Sequence, residues 1–281
     1  MSGTGPMLSN DDLAALTFAD RLSLARALCR GYGLTVWALI MTAGLALGCL
    51  ALAGFSWLGF DPGTLVGLSN GSITVESIAG QLMGLFLLIM ASSLLMQFML
   101  IGLNSLALLY IDNQPPASAA SAFLSPWARF GPIFLCLLLW LALSMLLQMS
   151  LAILGQIPGL GFVIELALSV AYSIASNCAM FYIADRILVR NENLPPIEAV
   201  LRPLAILTYK PLAWLSAFVF MLAIYLPFAA IALLGLTKGG LIVALVGGLG
   251  LTAASVFIIF LFGVTYRQTL AQYELGTLPL H

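Results

Sequence analysis

The sequence predicts an all-α, polytopic membrane protein with six transmembrane helices and short cytoplasmic interfacial helices. Hydrophobic residues make up 62% and charged residues 7% of its 281 positions, whereas a soluble domain usually carries about a quarter charged residues. Six apolar runs are each long enough to cross a hydrocarbon core of about 30 Å at about 1.5 Å per helical residue. Lysine and arginine lie almost entirely on one side of these runs. This composition excludes a water-soluble fold.

The apolar runs occupy residues 34–58, 82–111, 131–157, 159–185, 212–236 and 240–266, and they form a transmembrane domain over residues 34–266. Nine of the ten lysine and arginine residues fall in segments that share one side, and Lys238 alone lies opposite. Cytoplasmic loops of membrane proteins are enriched in these two residues. We therefore predict that both termini are cytoplasmic, with an N-terminal segment over residues 1–33 and a tail over residues 267–281.

The N-terminal segment carries the pattern of an amphipathic helix. Ser9 or Asn10 can cap a helix, and the leucines that follow recur near helical spacing, which favours a helix lying at the membrane surface. Gly31 and Gly33 come just before the first apolar run. We expect these glycines to mark a bend between the interfacial helix and the first transmembrane span.

Two later cytoplasmic segments resemble each other. Each begins with a proline pair, at residues 115–116 and 195–196, and each ends on a proline at the start of the next span, Pro132 or Pro211. Proline is tolerated at the first turn of a helix because its missing donor has no partner there. One interpretation is a threefold repeat of an interfacial helix, a span, an outside turn and a returning span. The other is that the match is coincidental.

One ionisable residue, Glu165, lies within a predicted span. Ser169, Tyr172 and Ser176 follow it at steps of four, three and four residues, so the side chains share one helix face, which Asn177 borders. The functional interpretation is a hydrated path or a binding cleft for a polar group. The alternative is that the face packs against other helices, with Glu165 close enough to the surface to meet water or headgroups.

Neutral amides lie in two other spans, with Gln97 and Asn104 in the second and Gln148 in the third. They can pair across helices, for example with Asn177, and they offer neither a nucleophile nor a cation. We therefore expect them to serve packing. The complete candidate polar face inside the membrane is Glu165, Ser169, Tyr172, Ser176, Asn177, Gln97, Asn104 and Gln148.

Small residues recur at helix-contact spacing in the first and sixth spans. Such spacing lets helix backbones approach closely, so we expect these faces to be buried against neighbouring helices or against a second copy of the protein. The residues concerned are Gly44, Gly48 and Ala51, and Gly240, Ala244, Gly248 and Thr252.

Motifs for catalysis, cofactors and metals are missing from the sequence. The four cysteines are widely spaced and the one histidine is His281, so we predict no metal site and no histidine base. No phosphate-binding loop or nucleophile elbow is present, and the basic residues are too dispersed for nucleic acid. Asp185 and Arg186 are interpreted as a charged pair at the membrane boundary. We predict no enzymatic activity, no catalytic residues and no cofactor.

The layout resembles a group of bacterial membrane proteins. The chain has an Ile-Pro-Gly-Leu turn at residues 157–160, and a cytoplasmic segment that runs from Asp185 through Glu198 and Ala199 to Pro211. With six spans and cytoplasmic termini, it is similar to the YciC-like proteins and to the membrane domain attached to some glycerophosphodiester phosphodiesterases. The resemblance implies a multi-pass protein of the bacterial inner membrane, and it transfers no active-site residue.

Two functions are consistent with these patterns. The first is a non-enzymatic scaffold or envelope assembly factor that sits in the lipid bilayer and packs against other membrane proteins or against itself. The second is a transporter of a small or lipid-like molecule, with the Glu165 face in its path.

Overall fold

The computed structural model describes residues 10–58, 79–154, 161–235, 237 and 240–277. Several predicted features lie outside these residues: Ser9, the outside turn at 157–160, Lys238 and His281. Within the described ranges the chain contains helices and no strand. The long helices are α2 (Phe18–Trp57), α3 (Ala79–Ile111), α5 (Phe130–Leu154), α6 (Gly161–Ile183), α8 (Pro211–Leu234) and α9 (Gly240–Thr277). The short ones are α1 (Asn10–Ala15), α4 (Ala119–Ala128) and α7 (Glu198–Tyr209), and a π-helical segment (Ala184–Val189) follows α6.

The six long helices are apolar and long enough to cross a membrane. Their mean hydropathy ranges from 1.5 to 2.5, and even the shortest has a stretch of 22 residues, about 33 Å of helix at about 1.5 Å per residue. The all-α, six-helix prediction is therefore confirmed.

The order of elements follows the predicted repeat. A short helix precedes two long ones three times, as α1–α2–α3, α4–α5–α6 and α7–α8–α9. The short helices α4 and α7 follow the two proline pairs, and α8 begins at Pro211, where the missing N–H donor has no helical partner to lose.

The N-terminal segment differs from the prediction. The separate helix α1 is six residues long, and α2 runs without interruption from Phe18 to Trp57, so the expected bend at Gly31 and Gly33 is wrong. Helix α2 begins earlier because Thr17 and Asp20 form a capping box. The Thr17 hydroxyl accepts a hydrogen bond from the Asp20 backbone amide, and the Asp20 carboxylate accepts one from the Thr17 backbone amide. The start of the first span therefore lies within a longer helix.

Helix α9 lies at the centre of the bundle. It packs against α8 and α2 most extensively, and it also contacts α1, α3, α6 and α7. Buried side chains concentrate at one end of the bundle, where the C-terminal halves of α3, α6 and α9 meet the N-terminal halves of α2 and α8. We call this the charged end, because it also carries the ion pairs described below.

The small-residue faces were expected to be buried, and only part of them packs against a neighbouring helix. A Cβ on Gly235 would lie 2.1 Å from the Ala244 backbone nitrogen, and one on Gly247 would lie 2.3 Å from that of Ala232. Helices α8 and α9 therefore cross closely, and Ala244 takes part as expected. In contrast, Gly44, Gly48 and Gly248 have open space around the position of a Cβ, so the described helices do not cover these glycines.

Candidate functional site

An ionic cluster joins three helix ends at the charged end of the bundle. It consists of Asp112, Asp185, Arg190, Arg267 and Glu274. Asp112 directly follows α3, Asp185 and Arg190 lie in and after the π-helical segment, and Arg267 and Glu274 belong to α9. The six long helices form three hairpins, α2–α3, α5–α6 and α8–α9. Each cluster residue follows or lies in the second helix of one hairpin, so the cluster connects all three.

Asp185 is the centre of the ionic cluster and is 0% exposed. Its carboxylate accepts a hydrogen bond from Arg267 Nη1 at 2.8 Å and another from the Tyr266 hydroxyl at 3.1 Å. Arg190 Nε lies 3.2 Å from the same carboxylate. Two guanidinium groups and one hydroxyl thus surround the buried carboxylate, so its oxygens have the hydrogen-bond partners that burial of such a group requires.

Arg267 bridges two carboxylates and is 7% exposed. One of its terminal nitrogens donates to Asp185, and the other donates to Asp112. Burial raises the pKa of the Asp112 carboxyl above its ordinary value, although the charge of Arg267 acts to lower that pKa. The guanidinium therefore holds the ends of α3 and α6 against α9.

The backbone around the cluster follows from two asparagines. Asn113 and Asn191 both adopt a left-handed conformation, with φ of 53° and 56°, and asparagine tolerates this region better than most residues. After Asn113 the amide of Gln114 donates to Leu109 O at 2.8 Å, which ends α3. After the π-helical segment the amide of Arg190 donates to Asp185 O at 2.8 Å. Two hairpins therefore end in a similar way, next to their acidic residues.

A second buried arginine, Arg21, joins the start of α2 to α8 and α9. It is 4% exposed, and its terminal nitrogens donate to Ala213 O at 2.8 Å, to Thr265 Oγ1 at 3.0 Å and to Ser216 Oγ at 3.0 Å. Arg21 is one of the nine positive residues from which the orientation is predicted. In the structure it also fixes the first hairpin to the third.

A cleft of about 400 Å³ opens beside the ionic cluster. Helix α1 forms part of its wall, and α1 is held in place because Ala14 O accepts hydrogen bonds from Lys210 Nζ at 3.0 Å and Gln272 Nε2 at 2.9 Å. Burial, together with the nearby Arg21, lowers the pKa of Lys210. The cleft is lined by Leu13, Ile111, Asp112, Gln114, Val189, Arg190, Arg267, Leu270, Ala271 and Glu274.

The interpretation of Asp185 and Arg186 as one boundary pair is wrong. Asp185 pairs with Arg267 and Arg190, and Arg186 pairs instead with Glu192, at 3.1 Å. Arg267 was assigned to the tail, but α9 continues to Thr277 and buries it. The pairing of Asp185 with Arg267 could not be predicted from local sequence, because the two residues are 82 positions apart along the chain.

The residues of the predicted intramembrane face occupy different environments. Gln148 and Glu165 are exposed on the bundle, and Asn104 is buried within α3. No hydrogen bond joins any two of the eight side chains, all of which lie in described helices. Gln97 Oε1 is buried without a partner, and Asn177 donates to Ser173 O of its own helix at 2.8 Å. The half-buried members are Gln97, Ser169, Tyr172, Ser176 and Asn177.

The polar face of α6 points toward α5 and away from the fully buried side of α6. Cys178, which is 0% exposed, is nine residues from Ser169 and therefore lies about half a turn around the helix at about 100° per residue. Tyr172, on the polar face, contacts Trp140 of α5 with ring centroids 6.0 Å apart. The polar face thus follows the outer, α5 side of α6, opposite the side that carries Asp185.

Comparison with protein-family models, with curated proteins and with solved structures gives no match. The resemblance to the YciC-like proteins therefore stays a prediction, and the proposals below rest on the geometry of the chain.

Proposed function

We propose that this protein is a non-enzymatic membrane scaffold that holds other membrane proteins against its α5–α6 hairpin. The observation that carries the proposal is the exposure of Gln148 on α5 and Glu165 on α6, both in helices able to cross a membrane. Polar side chains inside a membrane normally face protein or water, because contact with lipid is costly. A helix of a partner protein that covers both side chains removes this cost.

Of the six long helices in the described ranges, α5 makes the least extensive contacts with other helices. Helix α5 packs mainly on α6 and α7, with smaller contacts to α3 and α4. Large apolar side chains within a few residues of Gln148 and Glu165 are also exposed, among them Met149 and Ile153 on α5 and Phe162 on α6. Lipid solvates such apolar side chains well, so the polar pair identifies the surface that needs a protein partner.

The rest of the structure suits a rigid support. The ionic cluster fixes the three hairpins at one end. A second surface for helix contacts is the face of α2 that carries Gly44 and Gly48, which are exposed and have open space around them. Small residues at this spacing allow close helix association.

Removing the polar pair should release the partners. We expect the double variant Gln148→Leu/Glu165→Leu to recover about tenfold less partner protein after extraction in a mild detergent, because loss of about 1.4 kcal/mol of interhelical hydrogen bonding lowers affinity tenfold. Quantitative mass spectrometry of the co-purified proteins measures this. Thr42→Val is the control, because Thr42 is exposed on α2 and donates only to its own helix, at Ala38 O.

Two results would contradict the scaffold proposal. One is recovery of the unmodified protein as an isolated monomer under every mild extraction condition. The other is a substrate or proton flux in proteoliposomes that Glu165→Gln abolishes while the protein still inserts, which would favour transport along α6. Unchanged flux in that variant removes Glu165 from any transport path.

We also propose that the protein lies in the bacterial inner membrane with both termini in the cytoplasm. The support is the position of the positive residues, which the positive-inside rule assigns to the cytoplasmic side. Reporter fusions after residue 191 and after residue 277 should both report a cytoplasmic location. A periplasmic location at either position contradicts the orientation.

A further inference from the structure

Two arginines differ from all the other cations in the described chain. Seven of the nine lysine and arginine residues in the described ranges donate to a carboxylate, an amide, a hydroxyl or a carbonyl. Arg26 and Arg30 have neither a hydrogen bond nor an ion pair there. They are four residues apart on α2, so they share one helix face, and both are exposed.

The two arginines line one cavity. It has a volume of about 450 Å³ and lies between α2, α8 and α9. Phe220 of α8 and Phe257 of α9 form its apolar wall, with their ring centroids 6.0 Å apart. Ser23 adds a hydroxyl on the arginine side. The cavity therefore combines two free positive charges with an aromatic wall.

An apolar groove continues from this cavity along α2. The groove has a volume of about 390 Å³ and shares Phe257 with the arginine cavity. Trp37 lines it, and its Nε1 donates to Thr252 Oγ1 at 3.2 Å, which joins α2 to α9. The other lining residues are Cys29, Gly33, Leu34, Ala253 and Val256.

The depth of the arginines suits the membrane surface. Arg30 is the last charged residue of α2, and the rest of that helix up to Trp57 is uncharged. Basic pockets between transmembrane helices at this level bind the headgroups of anionic lipids. The charge of the cavity and the apolarity of the groove match the two parts of such a lipid.

We propose that an anionic phospholipid binds between α2, α8 and α9. Its phosphate lies between Arg26 and Arg30, and one acyl chain follows the groove past Gly33 toward Trp37. The lipid binds to the first and third hairpins together, on a surface separate from the α5–α6 hairpin.

Native mass spectrometry of the full chain tests this, with phosphatidylglycerol and phosphatidylcholine of identical acyl chains as probes. We expect the protein to bind phosphatidylglycerol about 30-fold more tightly, because each basic residue near the surface contributes about a fivefold gain. Arg26→Gln/Arg30→Gln should abolish this preference. Arg26→Lys/Arg30→Lys should keep most of it, which separates loss of charge from failure to fold.

The matched control is Arg129→Gln/Arg202→Gln, which removes the same charge from arginines that already have partners, Asn191 and Tyr273. It should retain the preference. Equal loss in both double variants would show that general surface charge attracts the lipid, and equal binding of the two lipids by the unmodified protein would also overturn the proposal.

The groove has its own test. Ala253 is exposed within it, so Ala253→Phe should weaken binding of long-chain phosphatidylglycerol and leave the dihexanoyl form unaffected. No effect on the long-chain lipid would contradict the acyl-chain site. Displacement of bound lipid by millimolar inorganic phosphate would show a site for a soluble anion instead.

Discussion

Replacing Arg267 with leucine should lower the free energy of unfolding by about 3–5 kcal/mol, the cost of leaving a buried charge without its partner. Asp185 is fully buried and would lose its donor at 2.8 Å, and Asp112 would lose its bridging guanidinium. Arg190 at 3.2 Å would remain as the second cation. Unfolding in a detergent titration, followed by circular dichroism, measures the change.

The control for Arg267 is an arginine in an exposed ion pair. Arg202 lies 4.0 Å from Glu198, and both side chains are about half exposed, so Arg202→Gln should change stability by less than about 1 kcal/mol. Equal effects of the two substitutions would mean that burial of the ionic cluster does not contribute to stability.

Replacing Gly102 with valine should destabilise the protein by about 3 kcal/mol or prevent folding, because the added side chain would overpack the contact between α3 and α4. A Cβ at this position would lie 2.2 Å from Phe123 O and 3.0 Å from the Phe123 carbonyl carbon. Both atoms belong to the backbone of α4, so the whole of α4 would have to move away from α3. The yield of monodisperse protein and its thermal unfolding temperature measure this effect.

Gly31 is the matched control, because it is also a glycine inside a long helix. A Cβ there has nothing within 4 Å, so Gly31→Ala should raise stability by about 0.5–1 kcal/mol through helix propensity alone. A loss of stability in Gly31→Ala similar to that in Gly102→Val would show that close contact between α3 and α4 is not the cause.

The helices were predictable because each depends on local sequence. In lipid, the backbone N–H and C=O groups of a run of about 20 apolar residues must bond to one another, and an α-helix satisfies all of them within the run. The α4 and α7 helices were likewise marked by their proline pairs. The start of α2 was harder to predict, because the sequence offers two boundary signals, the Thr17–Asp20 capping box and the glycines Gly31 and Gly33.

The ionic cluster could not be predicted from local sequence, since its members come from three hairpins. A signal was nevertheless present. The sequence reads Tyr-Ile-Asp at residues 110–112, Tyr-Ile-Ala-Asp at 182–185 and Tyr-Arg at 266–267. If the three hairpins are repeats, two acids and one arginine each follow the corresponding tyrosine within three residues, and their opposite charges predict contact.

The intramembrane face shows that local spacing predicts which residues share a helix side without predicting what that side contacts. Helical spacing placed Glu165, Ser169, Tyr172 and Ser176 on one side of α6, and the geometry of that helix agrees. The spacing does not specify what that side contacts. In the structure it points toward α5, which covers it only partly, and this partial cover motivates the scaffold proposal.

A double-mutant cycle between Asp185 and Arg267 tests most directly whether the ionic cluster joins the hairpins. Asp185→Asn, Arg267→Leu and the combined variant are compared by their free energies of unfolding. We expect the combined variant to be about 2–3 kcal/mol more stable than the sum of the single effects predicts, because the two residues are in direct contact. Additivity within about 0.5 kcal/mol would contradict the account, because it would show that the two charges do not interact.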